Sequence, residues 1–329
     1  MTEKHLSYIL ESISMNERIL FWGRNKNYRI THLCFNELIK FVKNTQHKIV
    51  LTVVSDDHHG DPDSLEALAD KNDIPWTSVS SNEVNDSVFI SRIAGLHPTM
   101  CITVQFPKIF SEELINIPSR ANLNMHRGWP LRGAAIDERA IINKLDTYNI
   151  ILHHISTGID TGNIIGKAGF QLKDDEDGYS LVKKADSTGL KLFANNLLQL
   201  IGKKIPEGEK QVIENTIYGS KVSISNKIDF ADSSWKIERL CRAFNHPRKL
   251  GAQKEINNQK IFIMPPVKII PESHKENPGT ILFLENSSAI ITTGDYKISF
   301  SKCHLEDKKT ILFGQFLIEN GFTTGDNLR

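Results

Sequence analysis

The 329-residue sequence has almost no net charge, few cysteines and no long apolar run. Lysine and arginine number 40 against 39 acidic residues, leaving a formal charge of +1. No global field therefore draws the chain to nucleic acid or to an anionic membrane surface, although a local basic patch stays open. Cys34, Cys101, Cys241 and Cys303 stand far apart with no paired spacing. That excludes a disulfide framework and a zinc knuckle and fits thiols kept reduced in a cytoplasm. No stretch approaches the ~20 apolar residues of a membrane span, and the first residues lack the basic head and apolar body of a secretion signal. The expectation is a cytoplasmic protein with no membrane partner. Glycine is also missing where a dinucleotide fold needs it: Gly23 closes the first apolar run, but no second and third glycine follow at the spacing that cradles a pyrophosphate. Nicotinamide binding is thereby disfavoured.

What is present reads as two domains, as the length allows. Arg18-Ile19-Leu20-Phe21-Trp22-Gly23 is a short apolar run followed by the polar turn Arg24-Asn25-Lys26-Asn27, which predicts a buried strand. Leu33, Phe35, Leu38, Ile39, Phe41 and Val42 recur at helical intervals, and residues 49–54 are strand-like again. Strand, helix, strand predicts a parallel βαβ unit. The pattern continues with helices over 64–72 and 88–96 and an apolar strand over 100–104 without alternation, as expected where both faces are covered. The first domain, 18–205 after an N-terminal extension of 1–17, is thus expected to be doubly wound α/β with a mostly parallel, Rossmann-like sheet. One long amphipathic helix is predicted over 179–201 and a polar connector over 202–214. From about Tyr218 the texture changes to alternating strands, such as 260–264 and 289–293, with turn signals at Pro278-Gly279 and Gly294-Asp295. A smaller β-rich domain is predicted there, with its linker over 206–329.

The residues that carry chemistry cluster in 121–165, which holds ANLNMHRGWPLRGAAIDERAI and then NIILHHISTGIDTGNII. Taken alone, Asn124-x-His126 at a strand end reads as turn chemistry. An isolated Asp160-Thr161-Gly162 reads as a turn, or as the triplet of aspartic proteases, against which stand the single copy and the α/β setting. His153 and His154 are adjacent on a strand and point to opposite faces, so one of them at most faces a cleft. Arg132 reads either as an ion-pair partner or, through its fork geometry, as a phosphate ligand. His58 and His59 beside Asp56, Asp57, Asp61 and Asp63 read as a solvated loop, and no metal site is expected.

Together, in order and spacing, these residues resemble the 10-formyltetrahydrofolate-dependent formyltransferase family, whose motif runs Asn-x-His, Pro, Arg-Gly and, after a helix, a His-containing strand and Asp-x-Gly. Asn124, His126, Arg132, Gly133, His153, Asp160 and Gly162 match it. The likeness extends along the chain: 65–75 and 97–109 resemble the family's early helix and strand. Ile228-Asp229-Phe230, Arg242-Ala243-Phe244-Asn245 and Pro278-Gly279-Thr280 resemble landmarks of its C-terminal oligonucleotide-binding-like (OB-like) barrel. One departure stands out. Only Arg127, Gly128 and Trp129 separate the histidine from the proline and only Leu131 precedes Arg-Gly, so this loop is shorter than in most members.

The resemblance implies a transferase with Asn124, His126 and Asp160 as catalytic residues. It implies donor binding at Gln105, Phe106, Ile109, Ile159 and Gly162, and acceptor binding at Arg132, Gly133 and His153. The chemistry explains the residue types. A neutral amine attacking a formyl carbon generates a negative oxygen and a positive nitrogen, so the site needs a proton acceptor and an oxyanion donor. An imidazole, titrating near ~6.5 when unperturbed, suits the first role and places it on His126. The Asn124 amide suits the second, and Asp160 can orient the imidazole and stabilise its protonated form.

Among family branches, the acidic segment DDHHGDPDS stands where the transfer RNA enzymes carry a basic loop, and His153 stands where they usually carry methionine. The expected acceptor is accordingly a nucleotide-linked amino sugar, a 4-amino sugar first, as in lipopolysaccharide or O-antigen biosynthesis, with no nucleic acid partner and no metal. Two alternatives stay open: a methionyl-transfer RNA formyltransferase, since RGAAIDERAI resembles that branch too, and a non-catalytic folate-binding or regulatory module. A homodimer is also left open.

Overall fold

The computed structural model describes residues 16–25, 29–43, 45–55, 64–220, 224–247 and 249–328. The N-terminal extension up to residue 15 and the acidic loop at 56–63, with His58 and His59, lie outside the described residues. The chain forms two compact units. One takes Met1–Arg132, Asn149–Phe170 and Ala185–Ile217; the other takes Gly133–Tyr148, Gln171–Lys184 and Tyr218–Arg329.

The first unit is organised on β1 (Arg18–Gly23), whose Ile19, Leu20, Phe21 and Trp22 are all buried. Burial on both faces is what an unbroken apolar run requires. The helix α1 (Arg29–Val42) turns Ile30, Cys34, Phe35, Leu38 and Ile39 inward at helical spacing, and Phe35 stacks on Phe21 with ring centroids 4.8 Å apart. On one side of β1 lie β2 (Lys48–Ser55) and β3 (Trp76–Val79), joined through α2 (Leu65–Asp70). The Ser64 hydroxyl caps α2 by accepting from the Ala67 amide at 3.1 Å, satisfying one of the first-turn N–H groups. The next helix, α3 (Ser87–Gly95), is capped in the same way by Asp86. On the other side lie β4 (Met100–Val104), buried throughout, and, after the short α4 (Glu112–Ile115), β5 (Ala121–Trp129). Along the chain there follow β6 (Leu131–Gly133), α5 (Ile136–Ile142), which falls in the second unit, β7 (Thr147–His154), β8 (Ile164–Gln171) and α6 (Gly178–Leu200). The seven-stranded sheet runs β3-β2-β1-β4-β5-β7-β8. Its pairings from β3 to β5 are parallel and β5 pairs β7 antiparallel, so the sheet is mostly parallel, as expected.

In the second unit, α7 (Ser234–Phe244) follows β9 (Ile217–Gly219) along the chain, and the remaining strands are antiparallel. These are β10 (Ala252–Ile256), β11 (Gln259–Ile270), β12 (Ile281–Glu285), β13 (Ser288–Thr292), β14 (Lys297–Leu305) and β15 (Thr310–Leu312), followed by α8 (Phe313–Glu319). The sheet order is β10-β11-β14-β13-β12, with β15 on β14. β11 runs longer than its alternation predicts because Pro265 and Pro266, which have no N–H to give the ladder, are absorbed as a register shift between Met264 and Val267. Phe230, Ile237, Ile263, Ile291, Phe300 and Phe313 form the buried centre of this unit.

Candidate active site

Asn124 and His126 are two residues apart on β5 and so stand on one face of the sheet. Their neighbours Met125 and Arg127 face the other way, where Arg127 donates to Asp186 on α6 at 3.4 Å. The antiparallel register of β7 sets His153 directly opposite Asn124 and His154 opposite Leu123. His153 is only 2% exposed, whereas His154 turns away and its Nε2 lies 2.9 Å from the Pro206 carbonyl.

Asp160 reaches the same point from the turn between β7 and β8. Its backbone is left-handed, with φ 53°, a conformation aspartate tolerates better than most residues. Two residues on, a Cβ at Gly162 would collide with the His154 carbonyl oxygen, so the turn can pass this close to β7 only with glycine.

The four side chains meet in a connected network. Asn124 Nδ2 donates to Asp160 Oδ1 at 3.3 Å and to His153 Nε2 at 3.1 Å. The second bond requires a lone pair on Nε2, which follows if the His153 proton sits on Nδ1 and is donated to the His154 carbonyl at 2.7 Å. Burial pushes the His153 pKa down to about 4; the Asp160 carboxylate opposes this and nearby His126 reinforces it. His153 is therefore a neutral acceptor at physiological pH. His126 has Nε2 2.8 Å from the Leu131 carbonyl and Nδ1 3.4 Å from Asp160 Oδ2. With Nε2–H donating to Leu131, Nδ1 is left to accept a proton beside the carboxylate. Its 3.4 Å separation is longer than the ~2.8 Å of a charge-assisted hydrogen bond, leaving room for that contact to shorten once the ring is charged.

The other sequence-predicted residues fall into two sets. Gln105, with φ 56°, follows Val104 at the carboxyl end of β4, and Val104 pairs with Met125, next to His126. Phe106 packs edge-on against Trp22, centroids 5.2 Å apart, while Ile109 is 64% exposed. Ile159 and Gly162 flank Asp160 in its turn. Arg132 donates from Nε to the Thr216 hydroxyl at 2.7 Å and from Nη1 to the Ile159 carbonyl at 2.8 Å, so two of its donors hold protein groups. Gly133, with φ 84°, opens the second unit, where a Cβ would strike the Gly219 carbonyl oxygen.

Sequence reasoning missed Gln211. Its Nε2 donates to the carbonyls of Asp160 at 3.1 Å and Gly162 at 2.6 Å, and its Oε1 accepts from Trp129 Nε1 at 3.1 Å. It sits in what reads as a polar connector, and no local pattern singles it out. Among the described residues no three histidine, cysteine, aspartate or glutamate side chains are placed to hold a metal ion. Among them, too, no helix is long and apolar enough to cross a membrane.

Residues 30–197 match the formyl transferase family, and residues 223–321 match the formyl transferase C-terminal domain. The chain belongs to this family. It is a formyl-transferring enzyme, and both halves of the family architecture are present. Similar curated proteins include the methionyl-tRNA formyltransferase of Agathobacter rectalis, 28% identical over 71% of this chain and 76% of the relative. The methionyl-tRNA formyltransferase of Clostridioides difficile is 26% identical over 79% of this chain and 84% of its own length. Among solved structures, the fold is shared with an N-formyltransferase from Helicobacter canadensis in complex with folinic acid and dTDP-3-aminofucose. That likeness has a TM-score of 0.63 at 21% identity, covering 87% of this chain and 99% of that one. A 4-N formyltransferase from Francisella tularensis gives 0.61 at 16% identity, covering 75% and 97%.

Proposed function

We propose that the enzyme moves the formyl group of 10-formyltetrahydrofolate to the amine of a nucleotide-linked amino sugar, a 4-amino sugar in the first instance. The observation that carries the formyl-transfer site is the convergence of Asn124, His126 and Asp160 from β5 and the β7–β8 turn within hydrogen-bonding distance. When bound, the donor supplies an activated one-carbon acyl group. Gln105, Phe106 and Ile109 beyond β4, with Ile159 and Gly162 around Asp160, would hold it, and exposed Ile109 offers an apolar face suited to a flat ring.

The protein's part in the reaction is proton management and charge stabilisation. His126 Nδ1 takes the proton that the attacking amine loses and returns it to the departing nitrogen. Asp160 keeps the ring oriented and stabilises its charged form. The Asn124 amide gives up its long 3.3 Å bond to Asp160 Oδ1 and turns that N–H to the oxygen as negative charge develops on it. Neutral His153, accepting from the same amide, holds it in the required plane. Arg132, fixed by Thr216 and Ile159, is proposed to face the acceptor's diphosphate.

The sugar acceptor is supported by charge and by His153. The acidic 56–63 segment and the formal charge of +1 suit a small diphosphate better than a polyanion. The second reading, methionyl-transfer RNA as acceptor, is favoured by the curated relatives that bear that name. The two are separated by assaying formyl transfer from 10-formyltetrahydrofolate to UDP-, dTDP- and GDP-linked 4-amino and 3-amino sugars and to methionyl-transfer RNA. Turnover with one amino sugar, only weakly dependent on salt, is expected. Formylation of methionyl-transfer RNA alone, falling steeply as salt rises, refutes the sugar acceptor and leaves formyl transfer standing.

A further inference from the structure

The connector after α6 reads in the sequence as a polar link, yet residues 206–211 are hydrogen-bonded to the Asp160 turn and to the residues on either side of it. The Pro206 carbonyl lies 2.9 Å from His154 Nε2, and the Glu207 carbonyl accepts from Asn163 Nδ2 at 3.1 Å. Glu209 and Ile164 exchange amide-to-carbonyl bonds of 2.7 and 2.8 Å. The segment is thus pinned on both sides of Gly208, whose left-handed φ of 79° lets it pass the Ile164 carbonyl. It then delivers Gln211, 5% exposed, under the turn that bears Asp160.

Gln211 is used at both ends of its amide. One nitrogen bridges the carbonyls of Asp160 and Gly162, and the oxygen is anchored by the indole N–H of Trp129, at the end of the strand that carries Asn124 and His126. A third carbonyl of the same turn, that of Ile159, is held by Arg132, which is itself tied to Thr216, just beyond the connector. Three carbonyls within four residues are therefore gripped by side chains from outside the turn. A left-handed backbone still costs an aspartate some free energy, and these bonds from outside the turn hold it there.

We infer that the connector is part of the catalytic apparatus and that Gln211 is a positioning residue, fixing the backbone of Asp160 so that its carboxylate meets Asn124 and His126 together. The inference rests on the proposed role of Asp160. Asp160 Oδ1 and Oδ2 reach Asn124 and His126 at 3.3 and 3.4 Å, near the limit of useful contact, so little drift of the turn is tolerated. Misplacing a reacting group by about 1 Å costs on the order of 10²-fold in rate.

The test compares Gln211→Met, Gln211→Glu and Trp129→Phe with wild type, using His126→Ala and Asp160→Ala as references. Gln211→Met is expected to lower kcat by about 10- to 100-fold while KM for the acceptor stays within about 3-fold. Gln211→Glu sets a carboxylate against two carbonyl oxygens when ionised and regains one donor when protonated. Its kcat relative to wild type is therefore expected to rise as pH falls. A residue serving only to hold the fold would show neither the kcat-against-KM split nor that reversed pH trend. Trp129→Phe removes the anchor on Gln211 Oε1 and is expected to lower kcat a few-fold with KM unchanged. If the Gln211 variants do not fold, Trp129→Phe decides the matter: an unchanged kcat overturns the inference. Wild-type kcat in Gln211→Met beside inactive His126→Ala and Asp160→Ala overturns it as well. Full activity in those two reference variants instead removes the catalytic reading on which it stands.

Discussion

The buried His153 makes a stability prediction that can be worked through from the structure. Its pKa lies below the ordinary 6.5, at about 4, chiefly because burial penalises the charged ring. The unfolded chain therefore binds this proton more tightly than the folded one. Stability from this group is fully present above about pH 6.5, falls as pH drops, and is lost by about pH 4. With those two values, linkage gives about 2 kcal/mol lost between about pH 7 and pH 5, and on the order of 3 kcal/mol over the whole window. At 2% exposure no large solvent discount applies. The perturbation is His153→Gln, which keeps an amide able to meet Asn124 but removes the titration. Urea unfolding of both proteins at closely spaced pH values yields their stability difference, in which titrating groups remote from His153 cancel to first order. Wild type is expected to lose its advantage over the variant as pH falls from about 7 to 5. A difference that stays constant across that window refutes the assignment of His153 as a neutral, desolvated acceptor.

His126→Ala and Asp160→Ala are each expected to lower kcat at least about 10²-fold, as for general acid–base groups, with folding retained by circular dichroism. Near-wild-type turnover in either removes it from the mechanism. In the second unit, Phe300 is fully buried between Phe230 and Phe313, with ring centroids 6.2 and 5.5 Å away. Phe300→Ala is expected to cost about 3–5 kcal/mol of unfolding free energy by urea titration, and a loss below about 1 kcal/mol would contradict the packing described.

What the sequence made legible was whatever is periodic or local. β1 and β4 show as unbroken apolar runs because both faces are covered, and α1 shows through the spacing of Phe35, Leu38 and Ile39. Asn124 and His126 are linked by the two-residue repeat of a strand, and Gly162 by the turn it permits. The expectation that at most one of the adjacent histidines faces a cleft follows from strand geometry, and His153 is the buried one. Gln211 was not legible, because its bonds join residues 49 to 82 positions apart and leave no imprint on local composition. Arg132 itself was singled out, but its partners Thr216 and Ile159, 84 and 27 residues away, were not. A guanidinium advertises its charge in a sequence but not which carbonyl it holds.

The way the chain is shared between its two compact units limits how the enzyme can be taken apart. Gly133–Tyr148 and Gln171–Lys184 pack with the C-terminal β-rich unit although they lie inside the span of the N-terminal family match. A truncation after α6 would strip both segments of the unit they belong to. Recombination with a relative would likewise need two internal grafts as well as a terminal one.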